Sequence, residues 1–127
     1  NVESISKSIC DLMQVYTQYG GIRPFGVSLL IAGVDSKPRL FEAEPSGAMT
    51  GYLADSVGSG KKEVDEYLEK NYKESITVED AIELGISALK KAVDAKLSPE
   101  NVDISYIEVK TKKSVAVSDK DVAKYLK

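Results

Sequence analysis

The stretch Tyr16-Thr17-Gln18-Tyr19-Gly20-Gly21-Ile22-Arg23-Pro24-Phe25-Gly26 constrains this chain more than any other, because it joins a helical pattern to an apolar strand. Before it, Val2, Ile5, Ile9, Leu12, Met13 and Tyr16 recur at helical spacing and predict one amphipathic helix over residues 2–19, with Glu3, Ser4, Lys7, Ser8 and Asp11 on the opposite side. After it, Val27-Ser28-Leu29-Leu30-Ile31-Ala32 has no solvated face and reads as a strand covered on both sides. Two consecutive glycines allow positive φ, which caps a helix and turns the chain, while Pro24 forbids helix and pushes Arg23 to an extended conformation. The expectation is a shaped bend held stiffly between two rigid elements.

Downstream, strands are expected at 26–34, 38–43 and 52–58, with Asp35-Ser36-Lys37-Pro38 as a hairpin turn and Pro45-Ser46-Gly47 as a second break, which makes an antiparallel meander. A second helix over 60–72 carries Val64, Tyr67, Leu68 and Tyr72 on one side. A third starts at Thr77 in a capping-box arrangement with Asp80, faces inward with Ile82, Gly85, Ile86, Leu89 and Val93, and is broken by Ser98-Pro99-Glu100. Strands at 102–110 and 114–118 flank the Lys112-Lys113 turn, and Ser118 with Asp121 starts a last helix. No linker or repeat marks a boundary within residues 1–127. The strands around Val27 and Val102 nevertheless ask for neighbours that these residues do not supply, so the domain is expected to be incomplete.

The chemistry is sparse. With no histidine, the commonest general base and metal ligand is missing, and Cys10 has no partner to activate it. Its place beside Ile9 and Met13 makes it a core thiol. Carboxylates such as Glu63, Asp65, Glu66 and Glu69 are interspersed with lysines, as on a solvated helix face. Gly58-Ser59-Gly60-Lys61-Lys62 is similar to a phosphate-binding loop, but the leading glycine that such a cradle needs is replaced by Asp55 and the magnesium-ligating hydroxyl by Lys62. It reads as a tight turn capped by Ser59. A net charge of −3 opposes nucleic-acid binding, and the run from Val27 to Val34 is too short for a bilayer. Neither cofactor nor metal is expected. A single cysteine and the lack of a secretory leader point to a cytoplasmic protein.

The bend, with Tyr16-Thr17-Gln18 before it and Val27 to Asp35 after it, resembles the α-type subunits of the proteasome core particle, those of archaea in particular. The resemblance runs on through Pro38-Arg39-Leu40-Phe41-Glu42, Pro45-Ser46-Gly47-Ala48, Gly58-Ser59-Gly60, Val78-Glu79-Asp80-Ala81-Ile82-Glu83-Leu84-Gly85 and Pro99-Glu100-Asn101-Val102, in the same order and at near-identical spacing. It implies an α+β fold, the second half of the four-layer αββα sandwich of N-terminal-nucleophile hydrolases, with antiparallel sheets. Residues 1–127 would then be the C-terminal half of one subunit domain without an internal boundary. The gating tail and the lysine pocket for activators belong to the half that is absent.

For function, the resemblance implies a non-catalytic subunit of a sevenfold α ring that caps the proteolytic β rings and restricts the entry of unfolded protein. Its implied partners are other α subunits, β subunits, an activator ATPase and unfolded polypeptide. Tyr19, Gly20, Gly21 and Ile22 would line the axial annulus, and Arg23, Pro24 and Phe25 would anchor the turn. No catalytic residue is implied, and Asn1 cannot act as an N-terminal nucleophile. The alternatives are an N-terminal-nucleophile amidohydrolase or peptidase subunit whose nucleophile lies in the missing half, and an adaptor domain that offers Tyr19 to peptides.

Overall fold

The computed structural model describes residues 1–127, which divide into two compact units, Asn1–Gly58 and Ser59–Lys127. The first consists of helix α1 (Val2–Val15) and a three-stranded antiparallel sheet of β1 (Leu29–Val34), β2 (Pro38–Ala43) and β3 (Met49–Tyr52), in that order. Asn1 caps α1, its side chain accepting from the Ser4 N–H at 2.8 Å. The turn at Asp35 closes the β1–β2 hairpin, and the Asp35 carboxylate accepts from the N–H groups of Ser36 and Val2 at 2.6 and 3.3 Å. These bonds, that from Ser36 foremost, hold the Asp35 carboxyl below its ordinary pKa and tie the start of α1 to the hairpin.

β2 is the central strand, and Phe41, Glu42 and Ala43 on its two faces are all buried. Ala43 meets Cys10 and Met13 of α1, and Ile9, Phe25, Ile31 and Met49 close around them. The β2–β3 turn lies directly against the helix: a Cβ on Gly47 (φ +86°) would stand 2.6 Å from Gln14 Cβ and 2.9 Å from the Cys10 carbonyl oxygen. Only glycine allows that approach.

The buried face of α1 departs from the apolar pattern. Ser6, Cys10 and Met13 point into the unit, while Ile5 and Leu12 are 59% and 51% exposed. The buried sector is rotated by about a fifth of a turn from the one hydrophobicity predicts. Ser6 can take a core position because its hydroxyl donates to the Val2 carbonyl at 2.9 Å, so no polar group is left unsatisfied. The helix also stops at Val15 instead of running to residue 19. β3 covers Met49–Tyr52, earlier than the expected 52–58, because Gly47 ends the turn and brings Met49 opposite Ala43. β1, expected from residue 26, begins at Leu29. Leu29 and Leu30 both stay partly exposed, although Ile31 of the same edge strand packs on the core cluster.

In the second unit, α2 (Lys61–Asn71) packs on α3 (Val78–Ala92). Val64, Ile82, Ile86 and Ala88 are buried, and the Lys91 ammonium lies over the Tyr67 ring. Thr77 caps α3, accepting from the Asp80 N–H at 3.1 Å. The helix ends at Ala92, well short of Ser98-Pro99, and Leu89 and Val93 of the expected inner face are substantially exposed. β4 (Ser105–Ile107) and β5 (Ser114–Ala116) pair antiparallel across a turn in which Lys112 takes φ +55°. Both strands are shorter than expected. α4 (Asp119–Tyr125) is capped by Ser118, and Asp121 is hydrogen-bonded by Lys124 and Ser118, which hold its carboxyl below the usual range. Helices and antiparallel sheets together make the α+β class. No helix is long and apolar enough to cross a membrane.

Candidate functional site

α1 does not end on the double glycine. Tyr16, in the right-handed region, is the C-cap, and the chain leaves the helix through tighter bonds in which the Thr17 N–H donates to the Gln14 carbonyl at 2.9 Å and the Gln18 N–H to that of Val15 at 3.1 Å. The Thr17 hydroxyl adds a second bond to the same Gln14 carbonyl, at 2.6 Å. Tyr19-Gly20-Gly21-Ile22 then forms a separate turn, in which the Ile22 N–H donates to the Tyr19 carbonyl at 3.4 Å and Gly21 takes φ +81°. Positive φ at the third of four residues is the requirement of a type II turn. Gly21 therefore serves the conformation, while Gly20 lies outside the left-handed region.

The turn stands in solvent. Tyr19 and Ile22 are 61% and 46% exposed, and a Cβ built on either glycine would meet nothing within 4 Å. Arg23 and Pro24 are exposed as well, and Arg23 forms no ion pair; its guanidinium lies beside Gly26. Of the three residues expected to anchor the turn, Phe25 alone reaches the core. Its ring packs against the Cys10, Met13 and Ala43 cluster and meets the Tyr16 ring edge-on, centroids 5.1 Å apart at 66°. Such a pair contributes about 1 kcal/mol beyond the area it buries. Tyr16, read from the sequence only as part of the helix face, is thus half of the base of the bend. The available signal was Met13 and Tyr16 one turn apart, with an aromatic residue directly after the loop.

The other groups weighed for chemistry are structural. Cys10 is buried, its thiol pKa pushed up by burial and by Asp11, and its Sγ lies 3.8 Å from the Ala48 carbonyl oxygen. At the Gly58-Ser59-Gly60 junction the N-cap of α2 is Gly60 itself, in the left-handed region with no side-chain cap, so Ser59 does not play the role expected of it. A Cβ on Gly60 would lie 2.5 Å from that of Ala92, which makes the junction a packing contact between the start of α2 and the end of α3. No three carboxylate or cysteine side chains converge as a metal site would need.

Comparison with known proteins places this bend in a family. The family described as Proteasome subunit matches residues 1–107. The chain is 44% identical over 125 residues to the proteasome subunit alpha of Archaeoglobus fulgidus, covering 98% of this chain and 51% of that protein. To the proteasome subunit alpha of Methanocaldococcus jannaschii it is 53% identical over 111 residues, covering 87% of this chain and 42% of that protein. That of Methanosarcina thermophila is 47% identical over 126 residues, with 98% and 51% covered. The chain spans about half the length of the curated relatives it matches. With an α+β architecture, an exposed glycine turn between α1 and β1 and this likeness over nearly all of its residues, the chain belongs to the proteasome subunit family, within it to the alpha type.

Proposed function

We propose that residues 1–127 form the C-terminal half of a single non-catalytic α-ring subunit of a proteasome core particle, and that the Tyr19–Ile22 turn lines the axial passage into the proteolytic chamber. The observation that carries this reading is an ordered turn that presents two large apolar side chains to solvent and uses none of them for its own core. Copies of it around a sevenfold axis would make a narrow annulus. Tyr19 and Ile22 would give it an apolar lining that interacts with any sequence passing through, and Gly20 and Gly21 would let neighbouring backbones come close. Partners in this reading are further α subunits, the β subunits, an activator ATPase and unfolded protein, in the cytoplasm. The exposed Ile5 and Leu12 of α1 and the partly exposed Leu29 and Leu30 of β1 are surfaces for the other half of the domain and for ring neighbours.

The test is Tyr19→Ala in the assembled particle. Larger or less completely unfolded substrates should enter, while small-peptide hydrolysis stays nearly unchanged, because the annulus selects by width. Unaltered size selection would remove Tyr19 from the lining. The α subunits assayed without β subunits should show no peptidase turnover; turnover blocked by a threonine-directed inhibitor would instead support the amidohydrolase reading.

A further inference from the structure

Residues 17–24 leave α1 after Tyr16 and return to the core at Phe25, and these two rings meet with centroids 5.1 Å apart. Beyond that point the turn has few restraints of its own. Thr17 and Gln18 are tied back to α1, but Gly20 and Gly21 have open space around them, and Tyr19, Ile22, Arg23 and Pro24 are all exposed. The position of the tip is therefore inherited from its base. We propose that the Tyr16–Phe25 pair is the positioning element that sets the width of the constriction, and with it the substrate class admitted, a single extended strand as against a looped or partly folded chain; this rests on the pore reading above.

The physical case starts from the rigidity of the pair. Each ring has two side-chain torsions; Tyr16, the half-buried C-cap of α1, meets Phe25, which packs against Cys10, Met13 and Ala43. An edge-on contact also fixes an angle, here 66°, which two aliphatic side chains in the same space would not. A displacement at the base is passed on to Tyr19 and Ile22, which are exposed and have no seat of their own in the core cluster. Neither ring would touch substrate, and both would act through the Tyr19–Ile22 turn.

The experiment uses assembled particles carrying Tyr16→Leu, Phe25→Leu, the ring-conserving Tyr16→Phe, or Tyr19→Ala. The probes are a small fluorogenic peptide and a set of unfolded chains, each closed by a disulfide into a loop of graded size. Amide exchange of residues 17–24 and thermal stability are read in parallel. Both Leu variants should speed exchange in residues 17–24 by about three- to tenfold, as expected for losing one aromatic pair. They should also admit larger loops than the parent, at unchanged peptide hydrolysis, with Tyr16→Phe like the parent on every readout. A purely structural role would lower thermal stability and leave the size limit of intact particles where it was. Unchanged exchange in both Leu variants, or a size limit that moves for Tyr19→Ala but for neither of them, overturns the inference alone. If Tyr19→Ala also leaves the limit unmoved while exchange rises in the Leu variants, the pore reading fails and the inference falls with it.

Discussion

Two glycine-bearing turns in this chain have nearly the same composition and opposite physical purposes. At Gly20-Gly21 the backbone is turned by one left-handed residue, and the space around both glycines is empty. At Gly58-Ser59-Gly60 two residues are left-handed, and Gly60 is pressed against Ala92 so closely that a methyl group would overlap. In the second turn, packing within the Ser59–Lys127 unit explains Gly60. The first is not explained that way, because its shape rests on a turn hydrogen bond and an aromatic base while Tyr19 and Ile22 face solvent and the space around its glycines is empty. An ordered element with no internal use for its apolar side chains is a candidate for use between molecules.

Substitutions at these turns should separate the two cases. Gly60→Ala should be the most damaging, at about 3 kcal/mol, since it combines a left-handed backbone strained for an L-residue with overpacking. The denaturant midpoint checks this, and a loss well under 1 kcal/mol would mean that Ala92 gives way. Gly21→Ala should cost about 1–2 kcal/mol from the backbone alone, as it has the conformation without the crowding. The same midpoint measurement would place it with Gly60 if the loss were larger.

Gly20→Ala should stabilise by about 0.4–1 kcal/mol, because the backbone there is not left-handed, space is free and the unfolded chain loses conformational freedom. A destabilisation in the isolated subunit would contradict the geometry of the turn. A stabilised subunit that assembles poorly would instead show that Gly20 is there for close approach to ring neighbours. Tyr19→Ala should change subunit stability least, by less than about 0.5 kcal/mol, as expected of an exposed side chain. Its effect should appear in the size of substrates admitted.

The helix faces show what a linear pattern can carry. Spacing located α1, and the hairpin at Asp35, the break at Gly47 and the caps Thr77 and Ser118 were legible because each depends on residues adjacent in sequence. The face of α1 that turns inward was not. Ile5 and Leu12 advertise an apolar face, but the sheet takes the Ser6, Cys10 and Met13 side, where small residues admit close packing and the Ser6 hydroxyl bonds within its own helix. In α3 the expected Ile82 and Ile86 are buried, but Ala88 is buried with them while Leu89 and, just past the helix, Val93 stay partly exposed.

By itself, the sequence determined that residues 19–22 must turn, since glycine permits a left-handed backbone and Pro24 excludes helix, and its motifs determined the family. Tertiary structure decided that of these residues Gly21 alone uses that freedom, that Phe25 packs on the core while Arg23 stays exposed, and that Tyr16 meets the Phe25 ring. The reason is range. Backbone preference is set by a residue and its immediate neighbours, whereas which ring meets which depends on where a helix end and a strand start are brought together by a core assembled from both.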